Sequence, residues 1–406
     1  MKTTTLFGGI ILATGLGLGA ALAQSLSPIE QLGKAIFFDP NLSTPPGQSC
    51  AACHAPQTGW TGPDAAINAG GAVYPGAIHV RFGNRKPPAS AYIGNSPPLQ
   101  LQGDEFVGGM FWDGRATGWR TGDPVQEQAL GPFLASVEQN MPSPYQVIVK
   151  IRHAPYAGLF RQVWGPNSLG TGKKDVEAIY DRIGHSIAAY ERSREVNPFS
   201  SKYDYYLYQK RLGIPDEETV LTPQELAGLV EFREYCAACH TSDPGPNGEP
   251  PLFTDFSYHN IGIPRNPQNP FYTMPPKWNP QGQAWVDLGL AEFLLTTPYA
   301  PLAPAHAGKF KTPTLRNVDK RPYPGFVKAY GHNGFFKSLE QIVHFYNTRD
   351  VPGKWPPPEV PFNVNRDLLE GVPLGNLGLS AEDEAAIVAF LKTLTDGYVP
   401  PAATAK

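Results

Sequence analysis

One pentapeptide pattern, present twice, constrains this chain more than any other feature. Cys50-Ala-Ala-Cys53-His54 and Cys236-Ala-Ala-Cys239-His240 use every cysteine in the 406 residues. On a helical turn, residues three apart share a face. Both thiols of each pair can then reach the two vinyl groups of one porphyrin, and the next residue, His, is placed to bind the iron from the same side. C-x-x-C-H is the attachment signature of c-type haem. Disulfides would leave the histidine after each pair unexplained. A zinc site wants its pairs about 15–20 residues apart, whereas 182 residues lie between these two. A thioredoxin-like pair needs a βαβ context, and none is visible. The implied cofactors are two covalently bound haem c groups, with His54 and His240 as proximal ligands.

The N-terminus reads as a leader. Lys2 supplies a positive charge, Leu6 to Leu22 is uncharged and rich in apolar and small residues, and Ala21-Leu22-Ala23 is an A-x-A cleavage site. Residues 1–23 are expected to be a signal peptide cleaved after Ala23, with export to the periplasm. The apolar stretch is short of the roughly 20 residues that span a bilayer. No other segment is long and apolar enough, so no membrane association is expected after cleavage. A net charge of −3 without a basic stripe excludes nucleic acid as a partner. Gly 42 and Pro 44 without a period predict many loops, while 41% hydrophobic and 11% aromatic residues supply a core.

The repeat divides the chain into two haem units, an N-terminal one over 24–197 and a C-terminal one over 198–406, with the boundary near Asn197-Pro198. Helical spacing predicts a helix from Ser27 to Phe38, ending before the first motif. Thr222-Pro223-Gln224-Glu225 is a capped helix start running through Leu229 and Phe232 into Cys236. Asp175–Arg194, Leu339–Tyr346 and Ser380–Leu394 also read as helices. Segments 55–110, 241–283 and 351–378 read as loops. The expected fold is mainly α: two cytochrome c-like haem domains with long irregular loops.

Further motifs carry a resemblance. Leu32-Gly-Lys-Ala-Ile-Phe-Phe-Asp-Pro-Asn-Leu-Ser43, Phe111-Trp-Asp-Gly-Arg-Ala116, Gln128-Ala-Leu-Gly-Pro132, Phe310-Lys-Thr-Pro-Thr-Leu-Arg-Asn317 and Gly331-His-Asn-Gly334 occur in that order. The chain resembles the bacterial di-haem cytochrome c peroxidases and their MauG relatives over nearly all of the mature sequence. The resemblance implies a peroxide-binding haem on His54 and a six-coordinate electron-transfer haem on His240. It makes Trp112 the electron relay between them. It also implies a distal Gln128 and Glu138, the latter a general base and then acid for peroxide. A short insertion, roughly Trp119 to Pro124, separates these from Trp112, and Gln139 stands where the family usually has Met.

The resemblance places the second haem's sixth ligand fourteen residues after His332, at Tyr346. The peroxidases carry Met there and MauG carries Tyr. An axial Met raises the potential, whereas a phenolate oxygen stabilises ferric and higher states. Tyr346 therefore points to the MauG-like branch. In that branch hydrogen peroxide generates a high-valent di-haem state that oxidises residues of a periplasmic partner protein. One alternative is a conventional peroxidase reducing peroxide to water with electrons from a small redox protein. Another is a non-enzymatic di-haem electron carrier, which would need no proton shuttle. The resemblance further suggests His79 as a removable distal ligand and Asn84 as a ligand to a calcium ion between the haems.

Overall fold

The computed structural model describes residues 25–170, 172, 175–369 and 372–401; the expected leader lies outside them. Among the described residues no helix is long and apolar enough to cross a membrane. The helices are α1 Pro28–Phe37, α2 Ala65–Ala69, α3 Pro124–Leu134, α4 Pro144–His153, α5 Ala157–Trp164, α6 Val176–Glu191, α7 Lys202–Arg211, α8 Pro223–Tyr235, α9 Leu290–Leu294, α10 Leu339–Thr348 and α11 Ala381–Lys392. Strands are few and short. Three antiparallel two-stranded ribbons pair β1 Gln100–Gln102 with β2 Glu105–Val107, β3 Tyr258–His259 with β4 Phe310–Lys311, and β5 Asp367–Leu369 with β6 Val372–Pro373. The fold is mainly helical, as expected.

Helix starts follow local chemistry. Glu30 accepts from the Ser27 backbone N–H at 2.7 Å at the head of α1, where Pro28 occupies the first turn. Thr222 and Glu225 make the same reciprocal box at the head of α8, at 2.7 and 3.3 Å. Helices α2, α5, α7 and α9 are additions to the sequence reading, and so are α3 and α4. Each of the last two begins with a capping Asp123 or Ser143 followed by proline. Leu130 and Phe133 of α3 and Val147, Ile148 and Ile151 of α4 are buried.

Two helical cores result. One is built from residues between Leu32 and Val196, on α1, α3, α4, α5 and α6. The other draws on residues between Tyr203 and Leu394, on α7, α8, α10 and α11. Each is closed by the same close crossing. A Cβ on Gly33 of α1 would lie 1.9 Å from the Ser186 carbonyl oxygen on α6, and one on Gly228 of α8 would lie 1.8 Å from the Ala386 oxygen on α11. Only glycine lets these helix pairs touch backbone to backbone. The second crossing fixes where α8 delivers Cys236, while α1 is joined to Cys50 through residues 38–49. A third cluster, including Leu99, Phe106, Tyr258, Leu290 and Leu294, draws on both halves of the chain.

Candidate functional site

Both C-x-x-C-H segments wind as one helical turn. His54 N–H donates to the Cys50 carbonyl at 3.0 Å and His240 N–H to the Cys236 carbonyl at 2.9 Å. This is the spacing that puts both thiols of a pair on one side. Burial pushes the Cys53, Cys236 and Cys239 thiols up to about 12 and Cys50 higher still. Burial therefore holds the four thiols in their protonated form rather than as exposed reactive thiolates.

The histidines are oriented alike. Nδ1 of His54 lies 3.2 Å from the Trp60 carbonyl, and Nδ1 of His240 lies 2.9 Å from that of Phe253. Backbone carbonyls thus take the Nδ1 proton and leave Nε2 for a metal. Burial lowers His54 to about 4 and His240 in the same direction, so both rings are neutral, as ligation requires.

The second motif opens on a large cavity walled by Cys236, Cys239, His240, Tyr346, Trp112 and His332. No methionine lines it. Both ring nitrogens of His332 are buried there without a partner among the described residues. An orphaned donor and acceptor of this kind fit a cavity shaped for a polar-edged group such as a porphyrin. Tyr346 has no hydrogen bond from its hydroxyl among the described residues. Burial, with the neighbouring Cys239 and Cys236, pushes its phenol well above the usual range.

Trp112 sits where the two halves meet. It is only 8% exposed. Its Nε1–H donates to the Lys86 carbonyl at 2.8 Å, and its own carbonyl accepts from Lys311 N–H at 2.9 Å. Lys86-Pro87-Pro88 runs beside His54 and Lys311-Thr312-Pro313 beside His240. One tryptophan is thus clasped by two equivalent Lys-x-Pro segments, one from each half. Its own loop is also duplicated. Met110–Ala116 and Tyr330–Phe336 are both closed by a bridge between their ends, and Gly114 and Gly334 both have positive φ. Trp112 and His332 hold the same place in these loops, and their ring centroids lie 6.5 Å apart, edge to face. Separate reading of each motif missed this second internal repeat; the paired Lys-x-Pro was its signal.

On the side of the first motif, Gln128 lies on α3 and Glu138 four residues past its end. Both are half-buried. The Glu138 carboxylate has no hydrogen-bond partner among the described residues. Burial raises its pKa, partly offset by Arg115, and its charge is felt at Cys53 and Cys50. A half-buried carboxyl held toward protonation, beside the first attachment turn, can give and take a proton at a bound peroxide. Arg115, absent from the sequence-level candidates, bonds Asp113 at 2.7 Å.

His79 does not join this group. It is exposed on a turn closed by Arg81 N–H to the Ile78 carbonyl, although Ala77 N–H ties the loop to the Glu138 carbonyl at 2.7 Å. His259 Nε2 lies 2.7 Å from Ser257 Oγ and 3.4 Å from Cys239 Sγ, at the edge of the second site.

Comparison with known proteins places the chain in a family. Residues 27–211 match the family model described as di-haem cytochrome c peroxidase. The chain is 33% identical to the methylamine utilization protein MauG of Paracoccus denitrificans, covering 94% of this chain and 93% of that protein. The chain belongs to the di-haem cytochrome c peroxidase family. It is also 27% identical to the cytochrome c551 peroxidase of Nitrosomonas europaea over 92% of its length and 82% of that protein. Among solved structures, the diheme peroxidase BthA from Burkholderia thailandensis superposes with a TM-score of 0.74 at 32% identity, covering 92% of this chain and 87% of that one. The protein is therefore an oxidoreductase acting on peroxide, with haem c as its cofactor, and the electron-carrier alternative falls.

Proposed function

We propose that this peroxidase is MauG-like: it uses hydrogen peroxide to draw electrons from residues of a partner protein rather than from a small redox carrier. The observation that carries this reading is Tyr346 in the wall of the second haem cavity, where no methionine reaches. The two haems, held on Cys50, Cys53 and His54 and on Cys236, Cys239 and His240, supply the redox chemistry when bound. The chain's own groups do the rest. Glu138, its pKa raised by burial, moves the proton from the near to the far peroxide oxygen. Gln128 orients the peroxide on that face. Trp112, bonded to Lys86 and Lys311, holds a fixed aromatic contact between the two sites. Tyr346 would offer the second haem, when bound, a phenolate oxygen, a ligand that favours ferric and higher states. His79, on its exposed turn beside the Glu138 loop, is a candidate for closing the first site at rest. The reading includes export to the periplasm, supported by the leader-like 1–23 segment.

The test is one equivalent of hydrogen peroxide added to the diferric protein. A long-lived, doubly oxidised spectrum without prior reduction is expected. A protein that ignores peroxide until one haem is reduced would instead be a conventional peroxidase. Tyr346→Phe should change the low-spin spectrum of the second haem, and an unchanged spectrum removes Tyr346 as ligand.

A further inference from the structure

The residues around Asn84 do not fit the calcium ion that the family resemblance suggests. Calcium takes about six to eight oxygen ligands, and the two buried carboxylates at this joint, Asp287 and Asp113, are already committed to Arg85. Arg85, next to Asn84, is buried with Nε and Nη2 each 2.7 Å from the Asp287 carboxylate and Nη1 on Asp113. The buried Lys86 ammonium donates to Thr61 Oγ1 at 3.2 Å and to the Pro87 carbonyl at 3.0 Å. A divalent ion here would face these positive groups, and Glu292, the further carboxylate beside them, is half exposed and already lies 3.6 Å from Arg85 Nη2.

Two further lysines are held as a bound cation would be. Lys328 donates to the carbonyls of Thr58 at 2.9 Å, Asn317 at 2.7 Å and Lys320 at 3.3 Å. Lys337 donates to those of Asn68 at 2.8 Å, Gly70 at 2.6 Å and Gly334 at 2.6 Å. Each cradle takes oxygens from both halves of the chain: Thr58, Asn68 and Gly70 precede the second haem motif, while Asn317, Lys320 and Gly334 follow it. The first cradle is tight. A Cβ on Gly59 would lie 2.8 Å from the Asn317 oxygen and 3.2 Å from Lys328 Nζ. Burial lowers the pKa of both amines, and Lys86 lowers Lys328 further. The carbonyls oppose this, since only a fully protonated amine has three hydrogens for three acceptors.

We propose that Lys328 and Lys337 are built-in cations of the joint between the two haem units, so that this enzyme holds its haems in working register without a calcium ion. The inference is independent of whether the electron donor is a partner protein or a small carrier.

The experiment uses the purified di-haem protein, exchanged into calcium-free buffer. Metal analysis should find well under one calcium per chain. EGTA should change neither the absorption and low-spin EPR signals of the second haem nor the rate of reaction with peroxide. Lys328→Met and Lys337→Met should each lower the unfolding temperature and shift the second-haem EPR signal. Stoichiometric calcium surviving buffer exchange, or an EGTA effect reversed by calcium chloride, overturns the proposal. So does a Lys328→Met, Lys337→Met double variant with unaltered spectra and unfolding temperature. If that variant does not fold, the metal and EGTA measurements on the unaltered protein decide.

Discussion

Replacing Gly228 by alanine tests whether the close crossing of α8 on α11 sets the second haem site. The added Cβ would lie 1.8 Å from the Ala386 carbonyl oxygen, 2.4 Å from its carbon and 3.0 Å from the Ile387 nitrogen. All three are helix backbone, so no side chain can swing away, and the helices must part by more than an ångström to reach ordinary contact. Overpacking of this kind costs about 1–3 kcal/mol. A helical Gly→Ala change alone would stabilise by about 1 kcal/mol. A contact of 1.8 Å against rigid backbone puts the overpacking cost in the upper part of its range, about 2–3 kcal/mol, which leaves a net loss of about 1–2 kcal/mol. For a unit of this size that is an unfolding temperature lower by about 2–8 °C.

The effect should also be local. Helix α8 runs directly into Cys236, and α11 backs α10, which carries Tyr346. His344 Nδ1 and Asn347 Nδ2 of α10 bond Glu384 of α11 at 2.9 and 2.6 Å. Gly228→Ala should therefore move the low-spin spectrum of the second haem and spare the first. Gly33→Ala, at the equivalent crossing of α1 on α6, should do the reverse. The assay is thermal unfolding of the di-haem protein followed at the Soret band and by far-UV circular dichroism, with EPR of each haem. A Gly228→Ala protein as stable as the parent, or stabler, would refute the reasoning, because helix propensity would then be the only force at work.

Glu138→Gln keeps the shape but cannot shuttle a proton; it should slow the peroxide step by about 10²–10⁴-fold, measured by stopped flow, with both ferric spectra intact. Trp112→Phe removes the 2.8 Å bond to the Lys86 carbonyl; peroxide should still react at the first haem while the second stays unchanged in the optical spectrum, and equal oxidation of both would reject the relay. Glu191 is buried with Oε2 unpartnered, and burial raises its pKa from 4.5 to about 8. The folded protein then holds a proton that the unfolded chain releases between those values, so stability falls as pH rises through that window. Glu191→Gln should be the more stable form at pH 8 by up to a few kcal/mol, with the advantage vanishing below pH 4.5 in denaturant titrations; a pH-independent difference would show that Glu191 does not titrate there.

The attachment turns, the spacing of two thiols and a histidine, and helices α1, α6, α8, α10 and α11 were readable in the chain alone. Each depends on residues within a turn or two of one another, such as Cys236 to His240 or Thr222 to Glu225, and short-range spacing survives in sequence. Helices α3 and α4 were missed although their Asp-Pro and Ser-Pro caps were present, because prolines and glycines on either side mimic loop composition. The clasp on Trp112, the exposure of His79 and the lysine cradles depended on the tertiary fold. Lys328 finds Thr58 across 270 residues, and Gly228 matters only because Ala386 lies against it. A lysine in a polar stretch reads as a solvated surface charge until the fold surrounds it with carbonyl oxygens that water no longer reaches.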